Sequence, residues 1–225
     1  MNLRYQDQRI SAISRAYQST LRKQQAAMTR ERILMAVKDH LETHDIEALT
    51  LRRVAELAGV SAPAVYAHFP VMDDLVAALY QWLKPRLGLL EPPPPLDRLD
   101  QMPERLFPLY EQYGALLRNL MNKPSWNRQR AADGAQRRGA WIETVGAALP
   151  RLAPEQRRRG ALAIAAFWTP THWRWLRDDC GLGPDEAQAL AAWTIRALVE
   201  ALKTDPAALA SVPTAASRPR AIEEA

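Results

Sequence analysis

The chain has 225 residues, 48% of them apolar, with nine glycines and a formal charge of +5, which is enough for a core in one large or two small domains. Frequent Ala and Leu with little period-two alternation favour helix over sheet, so an all-α protein is expected. Nothing from Met1 to Gln25 resembles a signal peptide and no stretch reaches the roughly 20 apolar residues of a membrane span. The lone Cys180 excludes an internal disulfide and any multi-cysteine metal site; a soluble, cytoplasmic protein without a membrane partner or cofactor is expected.

Residues 1–27 read as a basic N-terminal arm. Up to Thr29, Arg4, Arg9, Arg15, Arg22 and Lys23 oppose only Asp7, a balance that suits a phosphate polyanion through counterion release. A solvated leader is the alternative reading. A first helix over 30–44 follows from the stripe Ile33, Leu34, Val37 and Leu41, with Thr29 as its N-cap. Thr50 then precedes a short helix over 51–58 whose Val54, Leu57 and Ala58 face inward, and Gly59 supplies the left-handed residue that ends it. Ser61 caps the next helix, where Pro63 is tolerated because first-turn N–H groups have no intrahelical partner. Val65 and Phe69 give that helix one buried face and leave Ala62, Ala64, Tyr66 and His68 for another surface. Pro70 stops it. Asp73 and Asp74 open a fourth helix carrying Leu75, Val76, Leu79, Tyr80 and Leu83.

The run Pro92-Pro93-Pro94-Pro95 predicts a stiff extended spacer and a domain boundary, separating residues 28–88 from a second helical domain over 97–204. Helices are predicted there over 97–121, 125–149, 154–168, 171–180 and 185–203, punctuated by Pro124, Pro150, Pro154, Pro170 and the segment from Gly181 to Pro184. Residues 205–225, rich in Pro, Ala and Ser, are expected to be a disordered tail.

Two short helices with a glycine at the break and small residues on the second helix have the grammar of a helix-turn-helix. The first must brace the second, and the second must be slim enough to enter a groove about 12 Å wide. The continuous stretch from Thr50 through Gly59, Ser61, Pro63 and Tyr66 to Phe69, preceded by Thr29-Arg30-Glu31-Arg32-Ile33-Leu34, closely resembles the signature of the TetR family of regulators. The resemblance, strong over residues 28–88, implies an N-terminal three-helix helix-turn-helix DNA-binding domain and a C-terminal helical ligand-binding and dimerisation domain. It implies a homodimer on double-stranded operator DNA, with repression as the usual outcome. Thr50, Arg52 and Arg53 are then candidates for phosphate or base contact. Ser61 would cap and approach the backbone, Ala62, Pro63 and Ala64 would face base edges, and Tyr66 and His68 would donate to phosphates. Phosphate contacts set register and base contacts set sequence. With only apolar readout available to Ala62 and Ala64, specificity is expected to draw also on DNA shape, with Arg15, Arg22 or Lys23 reaching a minor groove. The lysine that many relatives carry early in the fourth helix is replaced here by Met72. Residues 30–90 hold seven cations against eight acids, so the motif itself is not basic.

Further on, the stretch from Pro170 to Asp179 and then Gly181 to Ala187, with Ala192-Trp193, resembles the last helices of such regulators. That implies a dimer interface carrying Trp168, Trp173, Leu190, Trp193 and Ala197. Phe107, Tyr110, Tyr113, Met121, Trp126, Trp141 and Trp168 gather in the middle helices, where a cavity could hold a small apolar or aromatic effector oriented by tyrosine hydroxyls, Arg118 or Arg128. Ordinary core packing is the competing reading. His40 and His44 have the spacing of a helical metal pair but lack a third ligand, and Cys180 with His172 lacks the geometry of a nucleophile pair. No enzyme is expected, since no phosphate loop, nucleophile elbow or metal set appears. Two functions remain in view: a repressor released by a small effector, and a DNA-associated adaptor on the same fold whose C-terminal domain binds a protein.

Overall fold

A computed structural model describes residues 3–209, with side chains from Thr20 to Ala207. Every regular element among the described residues is helical, and the chain divides into two compact units, residues 1–82 and 83–225.

In the first unit, helix α1 runs without a break from Leu3 to His40. Thr29 is therefore inside a helix and does not cap one. The physical reason is that no Gly or Pro occurs between Met1 and Asp45, and the Arg, Gln, Lys and Ala residues before Thr29 are good helix formers. Along α1, Ile33, Leu34 and Val37 are completely buried. They pack on α2 (Leu51–Ala58), which packs in turn on α3 (Ala62–His68). A fourth helix, α4 (Met72–Arg86), buries Leu75, Val76, Leu79 and Tyr80. The Trp82 indole N–H on α4 donates to the Glu31 carboxylate of α1 at 2.7 Å, a charge-assisted bond that fixes the pair of helices.

The second unit starts within the last turn of α4, not at the proline run. Leu83 and Leu87 are fully buried there, so the apolar pattern of the helix carries past the change of unit. After the prolines, a 3₁₀ segment from Leu96 to Gln101 leads into α5 (Met102–Gln112). The single helix expected over 97–121 is thus interrupted, because Tyr113 leaves the helical region (φ −109°, ψ 21°) before α6 (Gly114–Met121). Gly114 has a steric reason: a Cβ there would lie 3.3 Å from the Trp173 ring. Helices α7 (Pro124–Ala148) and α8 (Pro154–Ala165) form a packed pair. The chain then turns through Ala166–Trp168 into α9 (Pro170–Arg174), which relaxes into a π-helical turn over Trp175–Asp179. The last helix, α10 (Pro184–Thr204), buries Ala187, Ala191, Ile195, Val199 and Leu202 at helical spacing against α5 and α8. Beyond it, Pro206–Leu209 forms a 3₁₀ turn whose Pro206 carbonyl accepts from Gln156 at 3.0 Å. The rest of the expected tail, 210–225, lies outside the described residues.

Candidate nucleic-acid interface

The geometry of α2 and α3 is set by local chemistry. Thr50, extended at φ −115° and ψ 155°, accepts the Arg53 N–H on its hydroxyl at 3.2 Å and so starts α2. Gly59 ends it at φ 61° and ψ 39°. The Val60 N–H returns to the Ala55 carbonyl at 3.0 Å and the Gly59 N–H to that of Glu56 at 3.1 Å, which satisfies the carbonyls at the helix end. One residue later, the Ser61 hydroxyl accepts from the Ala64 N–H at 3.3 Å and opens α3. The turn is braced from outside by Arg32 of α1, whose guanidinium donates to the Gly59 carbonyl at 3.4 Å. Val65 and Phe69 anchor α3 in the core, while the Arg30 guanidinium stacks 5.4 Å from the Phe69 ring.

What α3 leaves outside is a slim surface. Ser61, Pro63 and Ala67 are exposed, Ala62, Ala64 and His68 are partly exposed, and Tyr66 stands 49% exposed. Thr50, Arg52 and Arg53 are exposed at the start of α2, with Arg53 held 2.8 Å from Glu56 one turn on. These ten residues all come from one continuous stretch, residues 50–68.

Residues 33–79, which contain this motif, match bacterial regulatory proteins of the tetR family. Over that segment the chain is similar to a tetR-family domain. No curated protein matches the chain. Among solved structures, NalD, the secondary repressor of the MexAB-OprM multidrug efflux pump in Pseudomonas aeruginosa, is 22% identical, with 77% of this chain and 96% of that one covered at a TM-score of 0.53. A TetR transcription regulator from Haloarcula marismortui is 19% identical over 78% and 98% of the two chains, with a TM-score of 0.61. A tetR-family transcriptional regulator from Streptomyces coelicolor is 19% identical over 80% and 88%, with a TM-score of 0.56. At these identities the likeness is one of fold, and it extends from the tetR-type domain into the C-terminal helices.

N-terminal to the tetR-type domain, Arg22 and Lys23 are exposed on α1, whereas the Arg15 side chain lies outside the described residues. In the second unit the seven aromatic and sulfur-bearing candidates separate. Trp141 and Trp168 meet edge to face, centroids 5.8 Å apart, and line a cavity of about 280 Å³. Phe107, Tyr110, Met121 and Trp126 are buried and Tyr113 is partly exposed; none of the five lines that cavity. The Tyr110 hydroxyl donates to the Trp168 carbonyl at 3.0 Å, and burial pushes its phenol well up, so it stays protonated. Arg118 makes a two-point ion pair with Asp178 at 2.6–3.0 Å and lies 4.8 Å over the Trp173 ring, so it is engaged in packing α6 against the π-helical turn. The cavity is instead framed by Lys84, Arg105, Asp133 and Arg137, which sequence reading missed. Their one legible trace is the spacing Asp133, Arg137, Trp141, a single face of α7.

The residues expected at a dimer interface also divide. Trp168 and Trp173 are enclosed by their own chain, and the Trp173 indole N–H donates to Glu111 at 2.7 Å. Leu190, Trp193 and Ala197 stay exposed on one face of α10, Trp193 at 62%, and Trp175 is half exposed nearby in sequence. His40 and His44 stack at 4.2 Å, and no group of three metal-ligating side chains occurs among the described residues.

Proposed function

We propose that this chain is a homodimeric transcriptional repressor that binds a two-fold operator through α2 and α3 and is released when a small molecule enters the cavity of the second unit. The observation that carries the DNA-binding half is the capped, glycine-turned pair of short helices with its slim exposed face. On this reading Ala62, Pro63 and Ala64 approach base edges and thymine methyls. Thr50, Arg52, Arg53, Ser61, Tyr66 and His68 meet the phosphate backbone, and Arg15, Arg22 and Lys23 add electrostatic affinity from the N-terminal part of α1.

Two-fold DNA recognition needs two copies of α3 about one helical turn of DNA apart, ~34 Å. The exposed Leu190, Trp193 and Ala197 supply a face for the second copy: exposed apolar residues at i, i+3 and i+7 on one helix, two of them large, suit a partner helix. Repression is supported by NalD, a repressor with a similar fold. The cavity favours a small-molecule effector over a protein-binding adaptor, because an adaptor needs no internal space. The C-terminal unit is non-catalytic on this reading.

Selection of bound sites from a random DNA pool with the full chain tests the proposal. The expected product is a palindromic consensus bound by two chains per duplex. Absence of enrichment over random DNA would overturn it.

A further inference from the structure

The cavity in the second unit has an uneven charge lining. Its volume of about 280 Å³ is roughly twice the ~150 Å³ that holds a single benzene ring in a protein interior. Three cations, Lys84, Arg105 and Arg137, and two carboxylates, Glu91 and Asp133, reach its wall. Each carboxylate is already engaged: Asp133 lies 2.6 Å from the Lys84 ammonium and Glu91 2.7 Å from the Arg105 guanidinium. The third cation is different. Arg137 Nε is buried and has no hydrogen-bond partner, although a buried donor left unmade costs free energy and is seldom tolerated without a reason. The rest of the wall includes the Trp141 and Trp168 rings, in edge-to-face contact, with Met102 and Leu106.

We infer that this cavity takes an aromatic or similarly planar carboxylate, whose acid group accepts from Arg137 while its ring lies against Trp141 and Trp168. This rests on the effector-released reading above and names the chemical class of the effector. The chemistry follows from what each part of the wall lacks. Arg137 offers a fork of N–H donors that matches the two oxygens of a carboxylate, and such bonds gain strength in a site with little water. The two resident carboxylates do not repel the ligand strongly, since each is neutralised at close range by its own cation. A neutral amide of the same shape would still bury its ring but would forfeit the charge-assisted bonds. A cationic analogue would face Arg137 directly and is excluded by it. The ring has a fixed wall to meet, because the Tyr110 hydroxyl holds the Trp168 carbonyl at 3.0 Å. Asp133, Arg137 and Trp141 share one face of α7, so the acid and ring subsites sit on a single rigid helix and their separation is preset.

The test uses the full chain and three probes of one shape: benzoate, benzamide and benzylamine, titrated against intrinsic tryptophan fluorescence. Saturable quenching by benzoate is expected, at least about tenfold tighter than benzamide, with no saturation by benzylamine. In Arg137→Met the preference for benzoate over benzamide should fall to about onefold. That variant also separates binding from folding: Nε has no partner to lose, so its Tm should stay at or above that of the parent. Equal affinities for benzoate and benzamide, a preference that survives Arg137→Met, or no saturable binding by any probe would each overturn the inference. Displacement of a selected operator duplex, followed in the same titration, reports separately on the parent reading. Selective benzoate binding without displacement would support the anion site and count against effector release.

Discussion

Replacing Tyr110 with Phe removes one oxygen from a fully buried ring and one hydrogen bond, the 3.0 Å contact from its hydroxyl to the Trp168 carbonyl. The ring keeps its neighbours, Phe107 and Trp173, at centroid distances of 6.0 Å each, so the apolar packing is preserved and the loss is confined to the polar contact. A neutral hydrogen bond contributes about 1 kcal/mol net, and a buried carbonyl left dry costs about 1–3 kcal/mol. A loss of about 1–2 kcal/mol is therefore expected, which for a chain of this size lowers Tm by roughly 2–8 °C. Thermal unfolding followed by near-ultraviolet circular dichroism measures it through the tryptophan signals. The shift should be the same from pH 6 to pH 9, because burial raises the phenol pKa and keeps the hydroxyl protonated throughout that range. An unchanged Tm would show that the Trp168 carbonyl does not depend on Tyr110, and a shift that varied with pH would refute the protonation argument.

Gly59→Ala places a side chain at φ 61° with nothing within 4 Å of the new Cβ, so the cost is conformational alone, about 1–2 kcal/mol; chemical denaturation should show it as a lower midpoint with an unchanged slope. The Arg118 guanidinium beside Asp178 holds that carboxyl below the usual aspartate range, through hydrogen bonds first and charge second. Its contribution to stability is complete above the unfolded pKa of about 3.9 and is lost as pH falls through the lowered folded value. Asp178→Asn should therefore lower Tm at pH 7 while leaving an acid limb flatter than the parent's, and parallel pH–Tm curves would contradict this. Deleting residues 1–25 removes all five basic residues of the N-terminal segment along with Asp7. Operator affinity should drop, and the plot of log affinity against log salt should become shallower; an unchanged slope would remove that segment from the interface.

The tetR-type motif was legible in the sequence because its determinants are local. Gly59, Ser61 and Pro63 act within a turn of their own position, and Val65 and Phe69 need only helical spacing to identify the buried face. The N-terminal part of α1 was misread for the opposite reason. Thr29 offers a plausible cap, but capping chemistry alone does not start a helix where no breaker precedes it, and the chain stays helical from Leu3. In the second unit, residue type pointed to aromatics in general. Phe107, Tyr110 and Trp126 went into the core, whereas the cavity is framed by charged residues from separate segments, Lys84, Arg105 and Arg137. They stand on three different helices, α4, α5 and α7, and no local signal encodes their convergence. At Gly114, a Cβ would meet both the Arg118 guanidinium one turn on and the Trp173 ring some sixty residues later, and the second of these is not visible in the local sequence.

DNA recognition by the exposed face of α3 is tested most directly by Ala64→Glu. Ala64 is partly exposed and its N–H is already capped by Ser61, and an acidic residue in the first turn of a helix is neutral or mildly stabilising. The variant should keep the parent Tm. On a selected operator duplex, titrated by fluorescence anisotropy, it should bind at least about 100-fold more weakly, because a carboxylate would be driven against the edges and phosphates of the groove. Parent-like affinity in a correctly folded Ala64→Glu protein would contradict the account.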